Sequence, residues 1–360
     1  LRLGAIGFGG PIALIALMER ECSARRAWIS ADEFNERYVF AKLLPGPIAY
    51  QMALWMGYHV RGRVGGLIAG VALLLPALLL IALLSASYTH FVGTPTLAPF
   101  ITGMEVGALI VILDSLWRMF QPYRQQRHAW CFILITAPLM LVIPRWEPVI
   151  IMAGGALMIV LRTQRCQAGK LFSFAALPLA TLAKLFWVHC KAGFTVFGTG
   201  LAIIPALQHE VVERYHWLTN TEFLDGIAFG QITPGPVTIT SVFVGYKTAG
   251  WFGALAGFLG MYSPGILLIL FVMPLLFEKM KGHPWLAHFQ AGAIPSVIGC
   301  ILGATLLLGQ MIIVTPTLTI LLLVLGLIAY TTRAPSWAII ALGSALGGLW
   351  PLLTTCLAPR

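Results

Sequence analysis

Leu44-Pro45-Gly46-Pro47-Ile48 and Thr233-Pro234-Gly235-Pro236-Val237 are one interruption written twice, 189 residues apart, each time inside an apolar stretch. Paired prolines remove backbone donors and push the residue before each of them out of helical geometry, so a helix must break at both places. In hydrocarbon an unsatisfied backbone group is very costly, and such a break is tolerated only where protein or a water-filled cavity covers it. Both motifs are therefore pocket candidates if the surrounding chain lies in a membrane.

Composition places it there. Of 360 residues, 59% are hydrophobic and only 10% charged, against roughly 25% charged in soluble domains, and the mean hydropathy is +0.87. Stretches long enough to cross a hydrocarbon core of about 30 Å recur, among them Val64–Leu84, Thr96–Trp117, Gly253–Phe277 and Ser336–Leu357. The net charge of +10 is carried by basic residues in the short polar breaks between apolar runs. Positive-inside bias accounts for that placement, and an excess of cations also concentrates an anionic substrate. The six cysteines (Cys22, Cys131, Cys166, Cys190, Cys300, Cys356) form no CxxC pair, which gives no disulfide framework or zinc site. The sequence opens at Leu1 in an apolar run, from which a preceding segment is expected, and nothing reads as a cleavable signal peptide.

Outward from the interruption the two halves keep matching. At an offset of 189, Gly4, Phe8, Gly9, Glu21, Trp28, Glu33, Phe34 and Phe40 meet Gly193, Phe197, Gly198, Glu210, Trp217, Glu222, Phe223 and Phe229. After the Pro-Gly-Pro element the offset drops to 188, pairing Gly57, Tyr58, Gly62, Gly65 and Pro76 with Gly245, Tyr246, Gly250, Gly253 and Pro264. Each repeat reads as a glycine-rich apolar segment, an amphipathic stretch, an apolar segment broken by Pro-Gly-Pro, and then long apolar helices. The expected organisation is a first repeat over 1–170 and a second over 171–360.

Charge suggests how the copies are oriented. The first amphipathic stretch carries Arg20, Arg25, Arg26 and Arg37 where its counterpart carries Arg214, while the loop Tyr88–Pro95 has no Lys or Arg and the matching break has Lys279 and Lys281. If each Pro-Gly-Pro segment dips in and returns, each repeat has five spans, and an odd count inverts the second copy. The competing topology is a full crossing at residues 38–58, which would make the repeats parallel. The expectation taken is an all-α integral membrane protein of about ten transmembrane helices in two inverted repeats, each with a re-entrant segment broken by Pro-Gly-Pro.

A broken helix exposes the N-terminus of its second half, whose free N–H groups and positive dipole end suit an oxyanion. The expected substrate-binding residues are therefore Pro45, Gly46, Pro47, Pro234, Gly235 and Pro236, with Gln51, Thr233, Thr238 and Thr240 close enough to add donors. The matched Phe8-Gly9-Gly10-Pro11 and Phe197-Gly198-Thr199-Gly200 elements bring clustered glycines, which either permit close helix contact or bare the backbone to a ligand. Gly9, Gly10, Gly198, Thr199 and Gly200 join the candidates on that ground. Lys42, three residues before Pro45, is placed to neutralise a dianion or to pair with Glu105 or Asp114. Intramembrane acids are expensive and rare. Asp114 has Arg118 at i+4, whereas Glu105 has no local partner and is the candidate for a coupling proton. Lys184 and Lys191 are expected to snorkel toward an interface. No HExxH, P-loop or GxSxG element is present, so neither soluble catalysis nor a metal or cofactor is indicated.

These elements in this order resemble the chromate ion transporter family: Phe8-Gly9-Gly10-Pro11, Glu21 with Arg26-Ala27-Trp28, Phe34, Pro45-Gly46-Pro47, Gln51 and Gly57-Tyr58. The second half repeats them through Phe197-Gly198, Pro205, Trp217, Phe223, Gln231-Ile232-Thr233-Pro234-Gly235-Pro236 and Gly245-Tyr246. The resemblance implies a multi-pass protein of the bacterial inner membrane, associated with chromate efflux and resistance, whose cargo is a tetrahedral dianion. Leu14 departs from it where members often have histidine, and Lys42 stands where the second repeat keeps Gln231. The resulting expectation is a secondary transporter exporting chromate by alternating access. A sulfate or other oxyanion transporter is the alternative within the fold, and a membrane-embedded scaffold or enzyme the alternative outside it. The expected partners are a small inorganic anion and membrane lipid, not nucleic acid, with a homodimer left open.

Overall fold

In the computed structural model of the protein the described residues are 1–7, 10–42, 44–91, 94, 97–143, 146–162, 181–196, 200, 203–280, 284–313, 315–332 and 334–357. Among them the chain forms helices and no strand: α1 Arg2–Ile6, α2 Gly10–Glu19, α3 Ala31–Ala41, α4 Ile48–Phe91, α5 Ala98–Phe120, α6 Arg127–Val142, α7 Glu147–Arg162, α8 Thr181–Thr195, α9 Ile203–Gln208, α10 Asn220–Ile232, α11 Thr240–Leu267, α12 Met273–Met280, α13 Pro284–Ile312, α14 Pro316–Thr332 and α15 Ser336–Leu357. The expected boundary at 170/171 lies outside the described residues, as do Gly9, Gly198 and Thr199.

Four helical stretches, Ile48–Tyr88, Ala98–Tyr123, Val237–Phe277 and Ala287–Gln310, are long and apolar enough to cross a membrane. Shorter apolar helices follow at Arg127–Val142, Val149–Leu161, Pro316–Thr332 and Ser336–Leu349. Their outer faces are apolar too, with Leu83, Ile135, Phe252, Leu275 and Leu327 exposed. Lipid, not water, is the solvent such a surface suits, and the protein is a multi-pass membrane protein.

Backbone irregularities recur at the offsets read from the sequence. A π-helical turn at Arg20–Arg25 has its counterpart at His209–Arg214. Each is followed by a non-glycine residue at φ 50°, Ala27 and His216. Glu21 clamps the first turn by accepting from Arg25 and Arg26, and the Arg26 guanidinium holds that carboxyl below its ordinary range. Glu210 clamps the second by accepting from Lys191 and Arg214. The next helices start on equivalent caps. The Ser30 hydroxyl accepts from the Glu33 amide ahead of α3, and Thr219 forms a reciprocal capping box with Glu222 ahead of α10.

Helix α4 is not one rod. At Arg61–Gly62 the backbone leaves helical values, with Gly62 at φ 60° and ψ −153°, and Gly250 in α11 does the same at φ 59° and ψ −149°. Only glycine occupies that region at low cost. The chain folds back there: a Cβ on Gly57 would lie 2.3 Å from the Gly65 carbonyl oxygen, and one on Gly245 2.1 Å from that of Gly253. Each long helix is thus a short arm, residues 48–60 or 240–248, packed antiparallel on a longer one.

Glycine also sets how the halves interlock. A Cβ on Gly103 of α5 would lie 2.1 Å from the Gly343 oxygen of α15, and one on Gly292 of α13 2.0 Å from the Gly154 oxygen of α7. These are the same contact with the halves exchanged, since 103 pairs with 292 and 154 with 343 at the repeat offset. Backbones approach this closely only where both sides lack a side chain.

Candidate functional site

Both Pro-Gly-Pro elements turn the chain back on itself. Gly46 and Gly235 take φ 128° and 119°, values open to glycine and strained for any L side chain. Around the second element a Cβ on Gly226 would lie 2.5 Å from Phe243, and one on Gly230 2.3 Å from the Thr240 hydroxyl, so α10 and residues 240–248 run antiparallel. Around the first, the Phe40 and Trp55 rings meet edge to face at 6.3 Å. Each element is the tip of a helical hairpin with short arms.

The tips are bound to the opposite half. The Gly46 amide donates to the Val196 carbonyl at 2.7 Å, and the Gly235 amide donates to the Gly7 carbonyl at 3.2 Å. Val196 and Gly7 are themselves 189 apart, so the two bonds are one interaction related by the repeat. Each acceptor borders a glycine-rich element, and Gly200 of the second element sits against the amides of Val237 and Thr238, a Cβ there falling 3.4–3.5 Å from both nitrogens. The tips are also joined through side chains. The Tyr50 and Tyr262 rings lie 4.9 Å apart, and the Tyr262 hydroxyl shares a 2.8 Å hydrogen bond with Thr238.

The expected donors divide once the structure is known. Gln51 Nε2 donates to the Pro45 carbonyl at 2.6 Å across the face of Gly46, which leaves Gln51 Oε1 buried without a partner among the described residues. Thr233 donates to Gly230 O and Thr240 to Val237 O, so both hydroxyls are held by their own hairpin. The Gly46 and Gly235 amides are taken as described above. Still available among the described residues are the Ile48, Ala49 and Tyr50 amides that open α4, which have no intrahelical acceptor, the amides beside Gly200, and one proton of the Thr238–Tyr262 pair; the Gln51 amide is taken by the Pro47 carbonyl. Gln231 Nε2 is buried and unpartnered as well. Gly10 opens α2. Pro45 and Gly235 are partly exposed, whereas Gly46, Pro47, Pro234 and Pro236 are buried. Lys42 neither approaches Glu105 nor pairs with Asp114; its ammonium stacks on the Tyr38 ring at 4.0 Å. Asp114 pairs with Arg118 at 2.8 Å.

Glu105 has a partner from far along the chain. It is buried on α5, 6% exposed, and its carboxyl faces that of Asp225 on α10. Asp225 also accepts from the Tyr88 hydroxyl at 2.6 Å. Beyond them Lys247 pairs with Glu222 at 2.9 Å and lies 5.3 Å over the Tyr88 ring. The sequence signal for Asp225 was an acid inside an apolar stretch, which is expensive without a partner; Tyr262 carried no such signal.

A cleft of about 860 Å³ opens elsewhere, between α1, the first π-helical turn and α4, with Arg2, Arg20, Arg25, Arg26 and Arg61 on its walls. It does not reach either Pro-Gly-Pro element. The corresponding face of α11 is covered by α8, whose Phe186 and His189 lie against Gly260 and Gly257. Among the described residues no group of three His, Cys, Asp or Glu could hold a metal ion.

The family model described as Chromate transporter matches in two segments, residues 1–160 and 183–349. The chain belongs to the chromate transporter family. It is similar to the "Chromate transport protein" of Cupriavidus metallidurans, at 33% identity over 98% of this chain and 92% of the relative. It is also similar to the "Probable chromate transport protein" of Synechococcus elongatus, at 32% identity over 86% of this chain and 83% of the relative. A third relative, the "Chromate transport protein" of Pseudomonas aeruginosa, is 30% identical over 86% of this chain and 79% of its own length. No solved structure matches. Family membership points to a transporter, not an enzyme, and to an inorganic anion as substrate.

Proposed function

We propose that this chain is a secondary transporter that exports chromate across the bacterial inner membrane by alternating access, with the dianion held between the two Pro-Gly-Pro tips. The observation that carries the reading is the exchange of the Gly46–Val196 and Gly235–Gly7 bonds, which holds two helix-breaking tips against each other's half. A pair of half-helix N-termini at one place suits a doubly negative guest better than either alone. The three named relatives described as chromate transport proteins support chromate as cargo.

The hairpin lengths support a re-entrant path. Helix α10 has 13 residues, about 20 Å, too short for a core of about 30 Å. With both tips dipping and returning, each half crosses five times: the broken first segment, the long arm of the hairpin helix, and three further helices. An odd number inverts the second half and gives ten spans in all. The substrate-facing set in this reading is Gly9, Gly10, Lys42, Pro45, Gly46, Pro47 and Gln51 from the first half. The second half contributes Gly198, Thr199, Gly200, Thr233, Pro234, Gly235, Pro236 and Thr238, with Glu105 handling a proton.

Export of a dianion from a cell that is negative inside runs with the field, at about 2.3 kcal/mol per charge for each 100 mV. Inverted vesicles with an imposed potential of either sign test the proposal. Chromate uptake should be faster with the protein than without it and should respond to the sign of the potential; identical uptake in control vesicles rejects it. Sulfate added to the same vesicles decides between chromate and sulfate as preferred cargo by which of the two competes at lower concentration.

A further inference from the structure

We propose that Glu105 and Asp225 form a proton-binding site bridging the two halves, in which a single proton is held between the two carboxyl groups. Glu105 belongs to α5 of the first half and Asp225 to α10 of the second, and their carboxyls face each other where the two helices pack. Neither ionised carboxylate can donate, so the two can hydrogen-bond to each other only while one carboxyl keeps its proton. Two adjacent carboxylates cannot both ionise at ordinary cost when buried, which is how paired acids come to share a proton. Here Asp225 is 1% exposed and Glu105 6%. One oxygen of each, Glu105 Oε1 and Asp225 Oδ1, is buried with no donor among the described residues.

The surroundings assign the proton to this pair. From α4, Tyr88 donates to Asp225 and so steadies a carboxylate there, which leaves Glu105 as the donor across the bond. From α10 and α11, Glu222 and Lys247 face the cluster but are paired with each other at 2.9 Å. The helices packed on α5 from the second half, α13, α14 and α15, contain no Asp, Glu, Lys or Arg. Among the described residues, therefore, no cation pairs with Glu105 or Asp225 to replace the proton.

Asp225 lies eight residues before Thr233 on the helix that ends in the second Pro-Gly-Pro tip. With the proton bound, α10 is tied to α5; once it leaves, two buried negative charges face each other and the tie becomes a repulsion. Proton loss as pH rises would free the tip-bearing hairpin, and proton return would dock it again. This consequence for transport rests on the transporter reading above, whereas the proton site itself can be tested without any substrate.

The test is infrared spectroscopy of the purified full chain in lipid nanodiscs, with no anion present. Wild type minus Glu105→Gln should show a protonated-carboxyl stretching band at neutral pH that disappears as pH is raised, and in Asp225→Asn, which lacks the negative partner, the Glu105 band should disappear at a lower pH than in wild type. Any contribution from the buried Glu147 is common to all three proteins and cancels. Amide side chains keep the bond geometry, and elution as a single species on gel filtration checks that each variant folds. The pH titration of wild type alone needs no variant. Absence of the band from the Glu105→Gln difference spectrum, a band in Asp225→Asn that titrates as in wild type, or a wild-type spectrum unchanged by pH, overturns the shared proton. In vesicles, chromate flux should change with pH in wild type and flatten in both variants. Flattened flux without the band overturns the site, and the band without chromate flux in any protein instead rejects the transporter reading.

Discussion

Thr238→Val removes one hydroxyl from the centre of the molecule while keeping the branched shape of the side chain. Thr238 is 0% exposed and Tyr262 1%, and their hydroxyls share a bond of 2.8 Å. The change leaves the Tyr262 hydroxyl buried without a partner, at a cost of about 1–3 kcal/mol, roughly a 5- to 150-fold shift in the folded-to-unfolded ratio. Tyr262→Phe should cost a similar amount by stranding the Thr238 hydroxyl. The double variant strands neither, so its loss should fall short of the sum of the single losses by about 1 kcal/mol or more. Thermal midpoints in one detergent read the stability, and chromate flux in vesicles reads the function. If this pair lends a proton to the anion, flux stays low in the double variant although stability returns. Flux that recovers in step with stability would refute the binding role and leave the pair as packing.

Gly103→Ala should separate α5 from α15, because the new methyl would lie 2.1 Å from the Gly343 oxygen and the helices must part by about 1 Å to admit it. The expected loss is about 1–3 kcal/mol, read as a lower thermal midpoint. Gly309→Ala, whose Cβ would meet only Leu109 at 3.7 Å, should be neutral or slightly stabilising in its helix. Pro45→Ala and Pro234→Ala should lower chromate flux more than membrane protein level, measured by immunoblot on the same vesicles. Equal losses of flux and protein level would make the breaks structural kinks.

Much of the architecture was legible because it rests on local chemistry. Paired prolines break a helix wherever they stand, and glycines recurring at one offset mark the same unit twice. The turns at Gly62 and Gly250 were visible as a matched pair but not as reversals, since a lone glycine in an apolar run equally suits a straight helix. The segment at 38–58 and the span Val64–Leu84 were legible as separate pieces, but not that the two arms of α4 fold back on each other. The donors were harder. Gln51, Thr233 and Thr240 were expected near an anion on sequence proximity, yet each donates to a carbonyl of its own hairpin, because the break frees acceptors as well as donors.

The sequence by itself determined the solvent, the duplication and the positions of the two breaks, since apolar length, residue order and proline stereochemistry act without reference to distant neighbours. Only the tertiary structure decided what meets at those breaks. Gly46 bonds to Val196, Gly235 bonds to Gly7, and Glu105 faces Asp225, partners separated by more than a hundred residues. Such pairings are chosen by how helices from the two halves pack, and a buried amide or carboxyl takes whichever partner that packing brings within reach.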